Sequence, residues 1–171
     1  ADGRYFLKAN NPDYRDLPAS DEMRRLARFK AVIDPLEMAI GQAWLREEIP
    51  PLFGETFNPG NWNSGHVVLR ARKAHILLVT LNKQGKSEDH RYLDHWLDEH
   101  SFHWQSQNSS SPTSKRGREI IDHQRLGMSI HLFVRDARLA GGTAARFVYH
   151  GPVTYRSHSG SEPMSVIFEV M

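Results

Sequence analysis

The sequence predicts an α+β fold that is mainly β: a small antiparallel barrel or near-barrel of seven or eight strands, with N-terminal helices packed outside it and one short inserted helix. Three observations carry this. Up to about residue 50 the apolar residues recur at helical spacing. From about residue 57 the chain breaks into short segments rich in β-branched and aromatic residues. Gly- and Pro-rich turn signals separate those segments. The 171 residues fit one domain with a helical appendage, and 39% apolar content with 8 Phe, 5 Tyr and 4 Trp is enough to build a core. Residues 1–54 read as a helical support and residues 55–171 as a β-barrel recognition domain.

Along the chain, Ser20 is the N-cap expected before "DEMRRLARFKAV", with Met23, Leu26 and Ala27 on one face. Asp34 caps a second helix, in which Pro35 suits the first position and Glu37 stands in capping-box spacing. Its stripe runs from Leu36 through Ala39, Ile40 and Trp44 to Leu45, until "IPPLFG" stops it. The strand candidates are "HVVLRAR", "HILLVTLN", "RYLDHWL", "SFHWQS", "SIHLFVRD", "RFVYHG", "VTYRSH" and "MSVIFEV". Asn58-Pro59-Gly60, Gly85, Gly127, Gly141-Gly142, Gly151-Pro152 and Ser159-Gly160 punctuate them. The inserted helix is "KRGREIIDHQRLG", capped by Ser114, with Ile120 and Ile121 inward and Gly127 at its end.

Charge narrows the partner only a little. Residues 1–60 carry 8 Lys+Arg against 10 Asp+Glu, and residues 61–171 carry 14 against 10. Such an excess permits nucleic-acid binding without requiring it. The absence of cysteine excludes disulfides and thiolate metal sites and fits a reducing compartment. No run of 18 apolar residues exists and the first residues have no secretory character, so a cytoplasmic protein without a membrane partner is expected.

The stretch "FHWQSQNSSSPTSKRGREIIDH" carries the chemistry. Alternation puts Phe102 and Trp104 on one strand face, where Phe102 reads as core and Trp104 either joins it or faces the polar residues beside it. Gln105, Gln107 and Asn108 each carry a donor and an acceptor on one planar amide, matching an adenine edge, although loop backbone uses such groups too. Ser114, Lys115, Arg116 and Arg118 follow at a helix start, which is either a phosphate site or a solvated face. Phosphate contacts that position, beside amides that specify, are a common division of labour in DNA readers. Trp62 and Asn63 in "NPGNWNSGH" supply either a stacking ring and its polar neighbour or a lid on the barrel end. Lys83 and Lys86 suit backbone contact, Tyr155 completes the aromatic rim, and Arg156 and His158 add further phosphate contacts.

Enzyme motifs are missing. His90, His95, His100 and His103 lie near Asp94 and Asp98, but no HExxH pair forms among them. Asp122, His123 and His131 could serve acid–base chemistry, yet no nucleophile elbow, P-loop or GxGxxG accompanies them. Neither a cofactor nor a metal is expected, and no catalytic residue is assigned.

The pieces "FHWQSQN", the Ser-Pro that follows, "IHLFVR", "GPVTY" and "SHSGSEPMS" together resemble an uncharacterised bacterial domain. That domain forms the C-terminal part of large DEAD/DEAH-type helicase proteins, often with a phospholipase-D-type nuclease domain at their N-terminus. The resemblance covers about residues 55–170. The family pattern "SHEGS-PMS" is written here "SHSGSEPMS", with Ser159 in place of its Glu and Glu162 at its gap, and residues 1–54 match only loosely. The resemblance implies restriction or phage-defence work on DNA and transfers no catalytic residue. Small B3-like and PUA/SRA-like barrels of restriction enzymes supply a fold-level analogy.

The function expected is therefore recognition of double-stranded DNA, by a short sequence or a chemical modification, in company with helicase and nuclease domains. Two alternatives stay open. One is a metal- or His-dependent nuclease or nucleotide hydrolase using His90, His95, His103 or His123. The other is a protein-interaction domain that couples a helicase to a nuclease.

Overall fold

The computed structural model describes residues 35–83 and 94–171. The Ser20 helix, the Asp34 cap, Lys86 and His90 lie outside the described residues. The chain divides into two compact units, Ala1–Met38 and Ala39–Met171, and the sheet described below belongs to the second. Helix α1 (Pro35–Ala39) is shorter than its apolar stripe predicts. Gly41 takes a left-handed φ of 82°, which glycine tolerates and which ends a helix. The freed backbone then pairs with a later strand: Gly41 N–H donates to the Tyr149 carbonyl at 2.7 Å and Tyr149 N–H to that of Gln42 at 3.0 Å. Strand β1 (Ala43–Trp44) continues this pairing. The expected helix to Leu45 is thus corrected to a helix, a glycine and a strand.

"IPPLFG" was expected to be only a stop, but Ile49–Leu52 forms helix α2, with its prolines in the first turn, where a missing N–H costs nothing. Helix α3 (Pro59–Trp62) replaces the open loop expected around Trp62, because the Asn58 side chain caps it by accepting from Gly60 N–H at 2.8 Å. Strand β2 (His66–Leu69) turns through a 3-10 segment at Arg70–Arg72 into β3 (Ala74–Asn82). Strands β4 (His95–Asp98) and β5 (Ser101–Gln105) form a hairpin. Helix α4 (Lys115–Ile121) follows, capped as predicted by Ser114, which accepts from Gly117 N–H. Then come β6 (Ser129–Ala137), a small β7 (Leu139–Ala140) and β8 (Thr143–Ala144) hairpin turning on Gly141 and Gly142, the long β9 (Phe147–Ser159) and β10 (Ser165–Val170).

The fold is α+β and mainly β, and all pairs but one in the large sheet are antiparallel. Its order is β2-β3-β6-β9-β10-β5-β4, with β1 added to β9. The exception is β3 with β6, a parallel pair buried on both faces, which explains the unbroken apolar runs "AHILLV" and "IHLFV". Strand β9 joins the halves of the sheet. Its first part, to Pro152, pairs with β6 and its second, from Val153, with β10, and Gly151, near the end of the first part where the β6 register shifts, has φ 86°. The core shows that the sheet curls: Leu77 and Val79 from β3 share one cluster with Phe102 and Trp104 from β5 and Phe168 from β10, and Ile120 of α4 fills it. The opposite face of β6 is covered by Phe53, edge-on to Phe133 and His131.

Closure is where the expectation needs correction. Among the described residues no ladder joins β2 to β4, so the sheet described is open rather than a closed barrel. Strand β2 pairs with Ala74–Leu77, the Gly65 carbonyl accepts from Leu78 N–H at 2.9 Å, and beyond that β3 has no ladder partner on this side among the described residues. Side chains span that seam instead. The His66 and Trp104 rings meet edge to face at 5.4 Å, Lys83 pairs with Asp94 at 2.9 Å, and Gln107 Nε2 donates to Ser64 Oγ at 2.9 Å. No helix among the described residues is long and apolar enough to cross a membrane.

Candidate nucleic-acid interface

The open seam contains a cleft of about 1010 Å³. Leu78, Val79, Thr80 and Lys83 of the β3 side form one wall, and the stretch from Trp104 to Ser109 forms the other. The amide row of residues 105–108 therefore lines this cleft, and Asn63 joins it from the end of α3. Of these amides, Gln107 is engaged. It donates to Ser64 and accepts from Arg116 Nη1 at 3.1 Å, acting as a clip across the seam. The side chains of Asn63, Gln105 and Asn108 have no hydrogen-bond partner among the described residues, while the Gln105 backbone N–H is held by Asp94 Oδ1 at 2.8 Å.

The aromatic residues are placed deeper than a stacking rim. Trp104 is 4% exposed and Trp62 is 2% exposed, so both rings are packed inside, Trp104 in the core at the cleft wall and Trp62 outside the cleft lining. Tyr155 is half-buried on β9, where its hydroxyl meets His158 Nδ1 at 2.6 Å. Neither it, His158 nor Arg156, which pairs with Glu169 at 2.5 Å, lines the cleft. At the start of α4, Ser114 Oγ is spent within the chain, donating to the Ser111 carbonyl at 2.8 Å and accepting from Gly117. Lys115 and Arg118 are exposed, and Arg116 turns back to Gln107 and the His66 carbonyl.

The family profile of a domain of unknown function, DUF3427, matches residues 38–168. The chain belongs to the DUF3427 family. No match to a curated protein is found. The matched stretch begins where the second compact unit begins, so the DUF3427 domain and the curled sheet are one object.

The DUF3427 domain has a cationic cluster that the pattern of its sequence did not single out. Arg46, Arg135 and Arg138 line the cleft, and none has an ion-pair partner among the described residues. Arg135 and Arg46 share one aromatic support, with guanidinium carbons 4.3 Å and 5.2 Å from the centre of the Phe147 ring. Arg135 Nε donates to Thr80 Oγ1 at 2.9 Å, and Arg46 Nη1 donates to the Trp62 carbonyl at 2.6 Å. Burial, then repulsion from Arg46 and Arg138, brings the Arg135 pKa down to about 10. Arg46 is lowered by burial and by Arg138, with Glu47 opposing. The available signal was Arg135 itself, a cation ending a strand that is otherwise buried.

A second feature of the DUF3427 domain is a buried polar chain behind the same wall. His66 Nε2 lies 2.8 Å from His75 Nδ1, His75 Nε2 lies 3.2 Å from Glu119 Oε2, and Glu119 pairs with Arg70. Burial is the main cause that holds both imidazoles neutral: His66 titrates well below its ordinary value and His75 at about 4. With its proton on Nε2 toward Glu119, His75 accepts from His66 Nε2, and His66 Nδ1 is then a buried acceptor without a partner among the described residues. The other histidines are placed by structure. His95 and His103 stack at 4.8 Å across β4 and β5, and His123 Nε2 accepts from Tyr155 N–H at 3.1 Å.

Proposed function

We propose that this chain is the DNA-recognition module of a restriction or phage-defence protein, binding double-stranded DNA at a short sequence or a chemically modified site. The observation that carries the reading is the content of the seam. Three amides, Asn63, Gln105 and Asn108, and three arginines, which among the described residues have no hydrogen-bonding and no carboxylate partners respectively, line the same cleft. Amides discriminate base edges, and guanidinium groups hold phosphates. The resemblance to domains carried by DEAD/DEAH-type helicases with phospholipase-D-type nucleases supplies the partners: the module selects the DNA on which those domains act. On this reading the work is done in the bacterial cytoplasm.

Gel shift of a randomised duplex pool, with and without modified bases, tests the reading, and an equal affinity for every duplex rejects it. Within the selected target, Asn108→Ala and Gln105→Ala should each lose about 1–3 kcal/mol of preference over random DNA, with little change in affinity for random DNA. Trp104→Ala is no test of reading, because its ring is packed in the core.

A further inference from the structure

The three arginines occupy a position that recognition of a base alone does not explain. A second cavity, of about 560 Å³, adjoins the seam cleft, and Arg46, Arg135 and Arg138 line both. With Asn63, which also lines both, they form the partition between the two spaces. Leu139 and Ala144, from the β7–β8 hairpin, contribute to the second cavity. Both volumes are of the size that accepts a small organic ligand such as a nucleoside. Two of the three cations are fixed in advance, Arg135 by Thr80, the Ala145 carbonyl and the Phe147 ring, and Arg46 by the Trp62 and Ser64 carbonyls and the same ring. Groups already ordered lose little freedom when a ligand arrives. The positive charges also repel one another, and an anion set among them relieves that repulsion. A phosphate suits the place better than a carboxylate, because its oxygens can accept from several planar guanidinium forks at once.

Resting on the DNA-recognition reading, we propose that the arginine partition binds one backbone phosphate, with the strand crossing it so that the two flanking nucleosides lie toward opposite cavities. The unit held is then a dinucleotide step. The arginines anchor the linkage, and the amides of the seam cleft read one of its two bases.

The test places a single uncharged methylphosphonate at each linkage of a selected duplex in turn and measures binding by fluorescence polarisation. For the unaltered chain, one linkage should stand out, with affinity falling about tenfold or more when its charge is removed. In Arg138→Gln the same replacement should cost clearly less than in the unaltered chain, since one of the three partners is already gone. Arg138 is exposed and its side chain has no hydrogen-bond partner among the described residues, so this variant should keep the wild-type melting temperature. Arg135→Lys, which keeps the charge but loses the fork, should reproduce part of the loss. A duplex bound normally, with all linkages equivalent or with additive effects in Arg138→Gln, overturns the partition and leaves the recognition reading standing. A phosphodiester dinucleotide bound in an Arg138-dependent way, with no duplex binding, supports the partition and removes the recognition reading. A nucleoside 5′-monophosphate that binds as tightly as the dinucleotide overturns the two-cavity assignment. No binding of duplex or dinucleotide overturns both.

Discussion

Lowering the pH from 7 to 4 is expected to cost the domain roughly 3 kcal/mol of stability through His75 alone, at about 1.4 kcal/mol per unit of pKa shift. His75 titrates at about 4 in the fold against 6.5 unfolded, so between those values the unfolded chain holds the extra proton. Stability is therefore fully present above about 6.5, falls as the pH drops, and stops falling near 4. His66 works in the same direction, since burial and the charges of His75, Arg116 and Arg70 all disfavour its cation. Glu119 is the opposing group, because its carboxylate favours the charged form of His75. His150, half-buried, adds a smaller contribution of the same sign. The lowered carboxyl groups Glu48 and Asp98 act only at lower pH, below their unfolded values of 4.5 and 3.8. Urea unfolding at pH 7, 6, 5 and 4 reads the effect. A stability that stays flat between pH 6.5 and 4.5 would show that both imidazoles take up protons freely inside the fold.

Gly117→Ala should destabilise the domain by about 1–3 kcal/mol, the usual cost of overpacking with a lost cap less the gain in helix propensity. An added Cβ would stand 2.8 Å from the Ser111 carbonyl carbon, closer still to its oxygen, and 3.1 Å from Ser114 Oγ. The obstacle is backbone, so no rotamer change relieves it. That carbonyl also receives Ser114 Oγ and Ser114 N–H, so moving it loosens the cap of α4. The same loop carries Gln107 and its clip to Arg116, so the amide wall of the cleft should shift as well. Thermal unfolding checks the first effect, with about 2–4 °C lost per kcal/mol for a chain of this size. A variant that melts at or above the wild-type temperature refutes the close approach. Ser111→Gly should not rescue it, because the clash is with main chain.

Much of the architecture was legible because local chemistry decided it. Ser114 caps α4 as the pattern required, and the apolar strands lie where β-branched residues cluster. What could not be read depended on distant partners. Nothing between Pro35 and Leu45 announces that Gly41 hands the chain to β9, because the deciding hydrogen bonds come from Tyr149 and Gln42. The parallel pairing of β3 with β6 leaves only an apolar run, which a closed antiparallel barrel would produce equally well. In the site, the amide row was visible as composition. The arginine cluster was not, because Arg46 and Arg135 are far apart in sequence and meet only through Phe147. The rings of Trp62 and Trp104 looked available beside polar residues, but α3 and β5 turn them inward.

The parallel pair also governs how the molecule must assemble. Thr80 and Arg135, which bond across it, are 55 residues apart, and β4, β5 and α4 all lie in the chain between them. Neighbours such as β2 with β3 and β9 with β10 can meet early, since only short turns separate them. The centre of the sheet can be sealed only after a long excursion has been closed, at an entropic cost incurred before its hydrogen bonds are made. Refolding should then be paced by that closure, on the millisecond-to-second scale typical of topologies rich in distant contacts rather than the microsecond scale of helical bundles.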